Sequence, residues 1–115
     1  MPTLIVLDEL IDTLTRFLRI SEGQMAQILG VSPRTVERWK SAATFPQHGS
    51  RHRLEALEHL VRRLDESFKT PEGARLWLHA DSGYFGGLKP IDALLCGRID
   101  AVDAALEALD SGIFV

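Results

Sequence analysis

Apolar residues recur at three- and four-residue spacing along almost the whole chain, the period of an amphipathic helix. Leu7, Leu10, Ile11, Leu14, Phe17 and Leu18 form the first such stripe and predict a helix from about Leu4 to Ile20. Ser21 then offers a side-chain oxygen as N-cap, and Gln24 three residues on completes a capping box. The short second helix ends at Gly30, which suits a left-handed cap. Ser32 caps a third helix, with Pro33 at the first helical position, where no N–H is needed. This helix is expected to run to Ala42 or Ala43. Residues 44–50 read as a loop whose Pro46 and Gly49 stop the helices on either side.

The second half repeats the pattern. Leu54, Leu57, Leu60, Val61, Leu64 and Phe68 share one face of a long fourth helix. Thr70, Pro71 and Glu72 open a fifth, which carries Leu76, Trp77 and Leu78. Residues 81–87 are rich in turn formers. Pro90 starts a sixth helix ending near Gly97, and a last one, about Ile99 to Leu109, presents Val102, Leu106 and Leu109 before Gly112. No stretch alternates with the period of a strand. The expected fold is all-α: a helix-turn-helix bundle over residues 1–68, then a small helical domain over 69–115. The break between Phe68 and Glu72 is the softest place to divide the chain.

At 115 residues the chain fits one compact domain or two very small ones sharing a core. With 45% apolar and 25% charged residues, disorder is not the default. The single cysteine, Cys96, allows no internal disulfide and suits a reducing cytoplasm. It lies in an apolar helix and is expected to be a buried structural thiol. The N-terminal stretch Met1–Leu7 is apolar but lacks the basic start and cleavage site of a signal peptide. No apolar run approaches the roughly 20 residues that span a bilayer. A cytoplasmic protein with no membrane partner is expected.

The net charge of -3 argues against nucleic acid for the chain as a whole, but local charge does not follow the total. Between Ser32 and Arg53, Arg34, Arg38, Lys40, Arg51 and Arg53 face only Glu37, so five minus one leaves +4. Positive charge there releases counterions from phosphates. The continuous string from Met25 to Lys40 resembles an Xre-type, Cro/repressor-like helix-turn-helix, in which the second helix enters the major groove. Arg34, Thr35 and Arg38 are the expected base-edge residues; Ser32, Lys40 and Arg51 are expected at phosphates. The bland alternative is a solvated helix face, which cap, turn and apolar spacing together argue against. Trp39 is expected to pack, with Val36 and Phe45 for company.

From Thr70 onward the chain turns acidic: Lys69, Arg75, Lys89 and Arg98 are outnumbered by Glu72, Asp81, Asp92, Asp100, Asp103, Glu107 and Asp110. That is a poor DNA surface. The residues 74–78, 85–95 and 110–115 resemble the toxin-binding domain of the MbcA/ParS/Xre antitoxin family, in the family's order. One departure is Gly83-Tyr84-Phe85, where the family is expected to be more polar. The resemblance implies an antitoxin. Its partner would be a RES-domain toxin that degrades NAD, held by the C-terminal domain with its active site blocked. The N-terminal domain would bind operator DNA and repress the shared operon, as a homodimer or in a higher toxin–antitoxin assembly. Phe85, Lys89 and the apolar tip Ile113, Phe114 and Val115 are the expected toxin contacts. An aromatic anchor on an apolar tip suits a partner pocket; folding back onto the chain's own core is the alternative. Leu76, Trp77, Leu88, Ile91, Leu94 and Leu95 are core or interface, and sequence does not separate the two.

Other chemistry is weakly signalled. His48 and His52 are four apart, but no third ligand stands near, so surface or phosphate-contacting histidines are expected and no metal site. His59 and His79 stand alone. Gly86 and Gly87 follow no strand and read as a turn, not a phosphate loop. Asp100 and Asp103 flank a helix start, where they favour its dipole. No nucleophile–base motif is recognisable, so neither catalytic residues nor a cofactor are expected and the chain reads as a non-enzyme. The rival function is a stand-alone transcription regulator with a C-terminal dimerisation domain; a small metal or nucleotide enzyme is the remote third.

Overall fold

A computed structural model describes residues 7–112. Residues 4–6 of the expected first helix, and the Ile113–Phe114–Val115 tip, lie outside the described residues. Within them the chain is all-α, with seven α-helices and no strand. They are α1 (Leu7–Leu18), α2 (Glu22–Leu29), α3 (Pro33–Lys40), α4 (His48–Ser67), α5 (Pro71–His79), α6 (Pro90–Leu95) and α7 (Ile99–Asp110), with a single 3-10 turn at Gly83–Phe85.

The local signals do what the sequence asks of them. Ser21 Oγ accepts from Gln24 N at 3.1 Å, and Gln24 Oε1 accepts from Ser21 N at 2.9 Å, so both halves of the capping box close. Thr70 Oγ1 caps α5 through Gly73 N, with Pro71 in the first turn. Gly30 takes φ +73° and donates to the carbonyls of Ala26 and Gln27, while Val31 N donates to Ala26 O at 3.0 Å. A residue with a Cβ would be strained in that left-handed conformation.

Two boundaries differ from expectation. α3 ends at Lys40, because the chain reverses at once: Ala42 adopts φ +62° and Ala43 N returns to Arg38 O at 2.9 Å. α4 begins at His48, so Gly49 and Ser50 form its first turn and do not stop it. Glycine costs little in a first turn, where the N–H groups lack helical partners anyway.

The 20-residue α4 is the spine, about 30 Å long at 1.5 Å per residue. It buries Leu54, Leu57, Leu60, Val61 and Leu64, and α1, α2, α5 and α7 pack against it. One hydrophobic cluster holds Leu14, Leu18, Ile28 and Val36 together with Leu78, Leu94, Val102 and Leu106, so the core continues across the Phe68–Glu72 break. Each such large side chain contributes roughly 1.5–3 kcal/mol by leaving water. Leu76 is the exception on its helix: 74% exposed, while Leu78 is fully buried and Trp77 half-buried against Phe68, ring centroids 6.0 Å apart.

Polar contacts tie the two halves as well. Arg63 of α4 reaches Asp103 at 2.8 Å, Glu107 at 3.0 Å and Asp110 at 3.5 Å, all on one face of α7. Ser67 Oγ donates to Asp110 at 2.9 Å. Burial opposes the Arg63 charge, but the carboxylates of Asp103 and Glu107 outweigh it and raise the guanidinium pKa.

Candidate functional site

Two surfaces carry the chemistry expected from the sequence. The first is the outer face of α3. Its inner face is fixed by Val36 and Trp39, both buried, and by Met25, Ala26, Ile28 and Leu29 of α2. That packing turns Ser32, Arg34, Glu37 and Arg38 outward, and all four are exposed. Arg34, Glu37, Arg38 and Ser41 line a shallow open cleft. Neither arginine has an ion pair or side-chain hydrogen bond within the described residues. Arg51, in the first turns of α4, is exposed and equally unengaged.

Ser32 and Thr35 are brought together. Ser32 Oγ accepts from Thr35 N at 3.2 Å and shares a hydrogen bond with Thr35 Oγ1 at 2.9 Å. Each hydroxyl retains hydrogen-bonding capacity at the N-terminus of α3, where the helix dipole is positive.

Lys40 is a correction. Expected at phosphates, its Nζ instead lies 2.8 Å from both Asp12 Oδ1 and Glu22 Oε2, so one ammonium joins α1, α2 and α3. Hydrogen bonds to Asp12 and then Glu22 hold its pKa above the ordinary lysine value. Its charge is engaged by two intramolecular ion pairs. Arg53 is exposed but also has an internal partner: its Nη1 donates to Leu29 O at 3.2 Å and satisfies a carbonyl at the end of α2. The exposed cations between Ser32 and Arg53 that have no internal partner are therefore Arg34, Arg38 and Arg51. Asp12 and Glu22 were not foreseen as partners, since they lie 28 and 18 residues from Lys40.

The second surface is an apolar groove between the 3-10 turn and helices α6 and α7. Tyr84, Phe85, Leu88, Ala93 and Ala104 form much of its wall, with Asp92, Arg98 and Asp100 also in its lining. Its volume is about 570 Å³. The loop that builds it closes on itself: Gly87 N donates to Ser82 O at 2.8 Å and Ser82 N to Leu88 O at 3.0 Å. Gly86 and Gly87, at φ +67° and +93°, make this turn possible, in keeping with the expectation of a turn there. Phe85 is half-buried with its ring edge-on to Tyr84, centroids 5.2 Å apart, and Lys89, the N-cap of α6, is exposed. Leu88 stands 64% exposed. That exposure excludes the core role that sequence left open for Leu88.

Cys96 is a second correction: it is exposed and lines this groove. Its place at the end of α6, after the buried Leu94, turns it outward. Among the described residues no set of three histidine, cysteine or carboxylate side chains is gathered closely enough to hold a metal ion. His48 and His52 are both exposed on α4. No helix of the described residues is long and apolar enough to cross a membrane.

No family model matches the chain. Known proteins do. The mycobacterial cidal antitoxin MbcA of Mycobacterium bovis is 28% identical over 98 residues, which cover 85% of this chain and 86% of the relative. The MbcA of Mycobacterium tuberculosis matches to the same extent. Among solved structures, a chain of the M. tuberculosis MbcT-MbcA toxin-antitoxin complex superposes with a TM-score of 0.67 and 26% identity. The match spans 96% of this chain and 98% of that one. The present chain is thus a homologue of the mycobacterial cidal antitoxin MbcA, similar in sequence over most of its length and in fold over nearly all of it.

Proposed function

We propose that this chain is the antitoxin of a toxin–antitoxin pair. It binds and neutralises a protein toxin of the RES type, which degrades NAD, by covering the toxin's active site in the cytoplasm. It also binds operator DNA and represses its own operon. The observation that carries the antitoxin assignment is the near full-length likeness to a chain crystallised within a toxin–antitoxin complex.

Helix α3 supports the DNA-binding part. Arg34, Thr35 and Arg38 would face base edges, and Ser32 and Arg51 would meet phosphates, all from one rigid helix-turn-helix. The groove supports the toxin-binding part. Phe85 and Lys89, with Ile113, Phe114 and Val115 from the tail, would contact toxin. The second half, residues 69–115, would serve as the inhibitory module and residues 1–68 as the DNA-binding module.

Co-expression with the product of the adjacent gene tests this. The expected results are a purified complex of the two chains, relief of growth arrest and restored cellular NAD. Growth arrest that persists, with no companion bound, would refute it. The rival is a stand-alone regulator whose second half only dimerises, and the exposed Leu88 beside Tyr84 fits a second copy too. In that case the chain would be a dimer in solution and the neighbouring gene would be harmless when expressed alone.

A further inference from the structure

The C-terminal end of α1 carries positive charge that the fold does not use. Arg16 and Arg19 are exposed, and neither side chain has an ion pair or hydrogen bond within the described residues. Together with Thr13, Phe17, Ile20 and Arg75 they line an open concavity of about 690 Å³ that contains no carboxylate.

The counter-ions that could have quenched them are engaged elsewhere. Asp12, one turn before Arg16, and Glu22, three residues after Arg19, are both held by Lys40 at 2.8 Å. The negative end of the α1 dipole is matched as well. Arg75 crosses from α5, donating through Nε to Phe17 O at 2.7 Å and through Nη2 to Arg16 O at 3.3 Å. Its guanidinium also lies over the Phe17 ring, 5.8 Å from the centroid. With the helix end satisfied, Arg16 and Arg19 are surplus cations in a chain whose net charge is -3.

Their position links them to α3. Lys40 is the last residue of α3, and its contact with Asp12 brings that end against α1. Arg16 follows Asp12 by four residues, so it lies on the same face, about 6 Å along the helix. Arg19 is on the short connection into α2, the first helix of the helix-turn-helix, and is held at φ +55°.

We infer that Arg16 and Arg19 form a second phosphate-binding patch, which grips the backbone of duplex DNA beside the stretch read by α3. The inference rests on α3 being the DNA-reading helix. It adds two contacts that position the duplex without reading its sequence. Arg75, at the same concavity, is a positioning residue: it fixes the α1 end from the other half of the molecule.

Fluorescence anisotropy of the full chain on a labelled random-sequence duplex tests this across a salt series. Each phosphate neutralised contributes about 0.9 to the slope of log affinity against log salt. The double variant Arg16→Gln/Arg19→Gln is expected to lower that slope by about 1.8, with the preference for the chain's own promoter over random sequence unchanged. Arg16→Lys/Arg19→Lys is expected to restore the slope. The single glutamine variants, each expected to lower it by about 0.9, give the answer if the double variant melts early. An unchanged slope, alongside weakened binding by Arg34→Gln/Arg38→Gln, overturns this patch alone. Failure of the wild-type chain to bind any duplex overturns the α3 assignment and the patch with it.

Discussion

The ammonium of Lys40 lies 2.8 Å from the carboxylate of Asp12, and this pair joins the last residue of α3 to the first helix of the bundle. Glu22 accepts from the same nitrogen at 2.8 Å, so α2 is held at the same point. The orientation of α3 against its scaffold is therefore partly electrostatic. Replacing Lys40 with Met removes both pairs and leaves two carboxylates facing each other. The expected cost is about 1 kcal/mol, the upper end for pairs this open to water, read as a lower midpoint in urea with unchanged slope.

The same contact predicts a pH dependence. The folded-state pKa of Lys40 is raised above its unfolded value of about 10.4. The stabilisation is thus fully present below that value and is lost as pH rises through the folded pKa. The stability difference between wild type and Lys40→Met should be flat from neutral pH to about 9.5 and shrink above about 10.4. A difference that stays constant to strongly alkaline pH would remove the ion pairs as its source.

Arg38 is exposed and free of internal partners, so its loss should spare the fold and, on the proposed function, act on DNA binding alone. Arg38→Ala is expected to leave the melting temperature within a degree or two and to weaken binding to the chain's own promoter. A base contact would cost about 1–3 kcal/mol and relax sequence preference at one position; a phosphate contact would lower the salt slope by about 1. Gel-shift titrations at two salt concentrations separate the two. Unaltered promoter affinity would take Arg38 out of the interface.

Arg63 binds α7 to α4 through Asp103, Glu107 and Asp110. Arg63→Met keeps the bulk of the stem but leaves three like charges on one helix face. A destabilisation of about 1–2 kcal/mol is expected, together with faster amide exchange in α7 than in α4. Uniform exchange throughout would show that apolar packing alone holds α7.

The thiol of Cys96 faces the groove lined by Tyr84, Phe85 and Leu88. It should therefore react with a maleimide in the native protein as readily as in denaturant. If the groove seats the toxin, the complex should protect it. Leu88→Ser should then weaken capture of the toxin while leaving the melting temperature unchanged, since Leu88 is 64% exposed.

Local signals in the sequence specify the helices and the starts of α2, α3 and α5. Ser21 with Gln24, Ser32 with Pro33, and Thr70 with Pro71 act on backbone groups within three residues, so their effect is legible in a short window. The apolar stripe of α4 was legible for the same reason, because its faces follow from helical period alone. The outward face of α3 followed from Val36 and Trp39 facing inward. Which charges remain unpaired depends instead on contacts between distant helices. Lys40 meets Asp12 across 28 residues, Arg53 meets Leu29 across 24, and Arg75 meets Phe17 across 58. Nothing local distinguishes these cations from Arg34, Arg38 or Arg16. The exposure of Cys96 and Leu88 has the same origin, since helical period says which face a residue occupies but not whether another helix arrives to cover it.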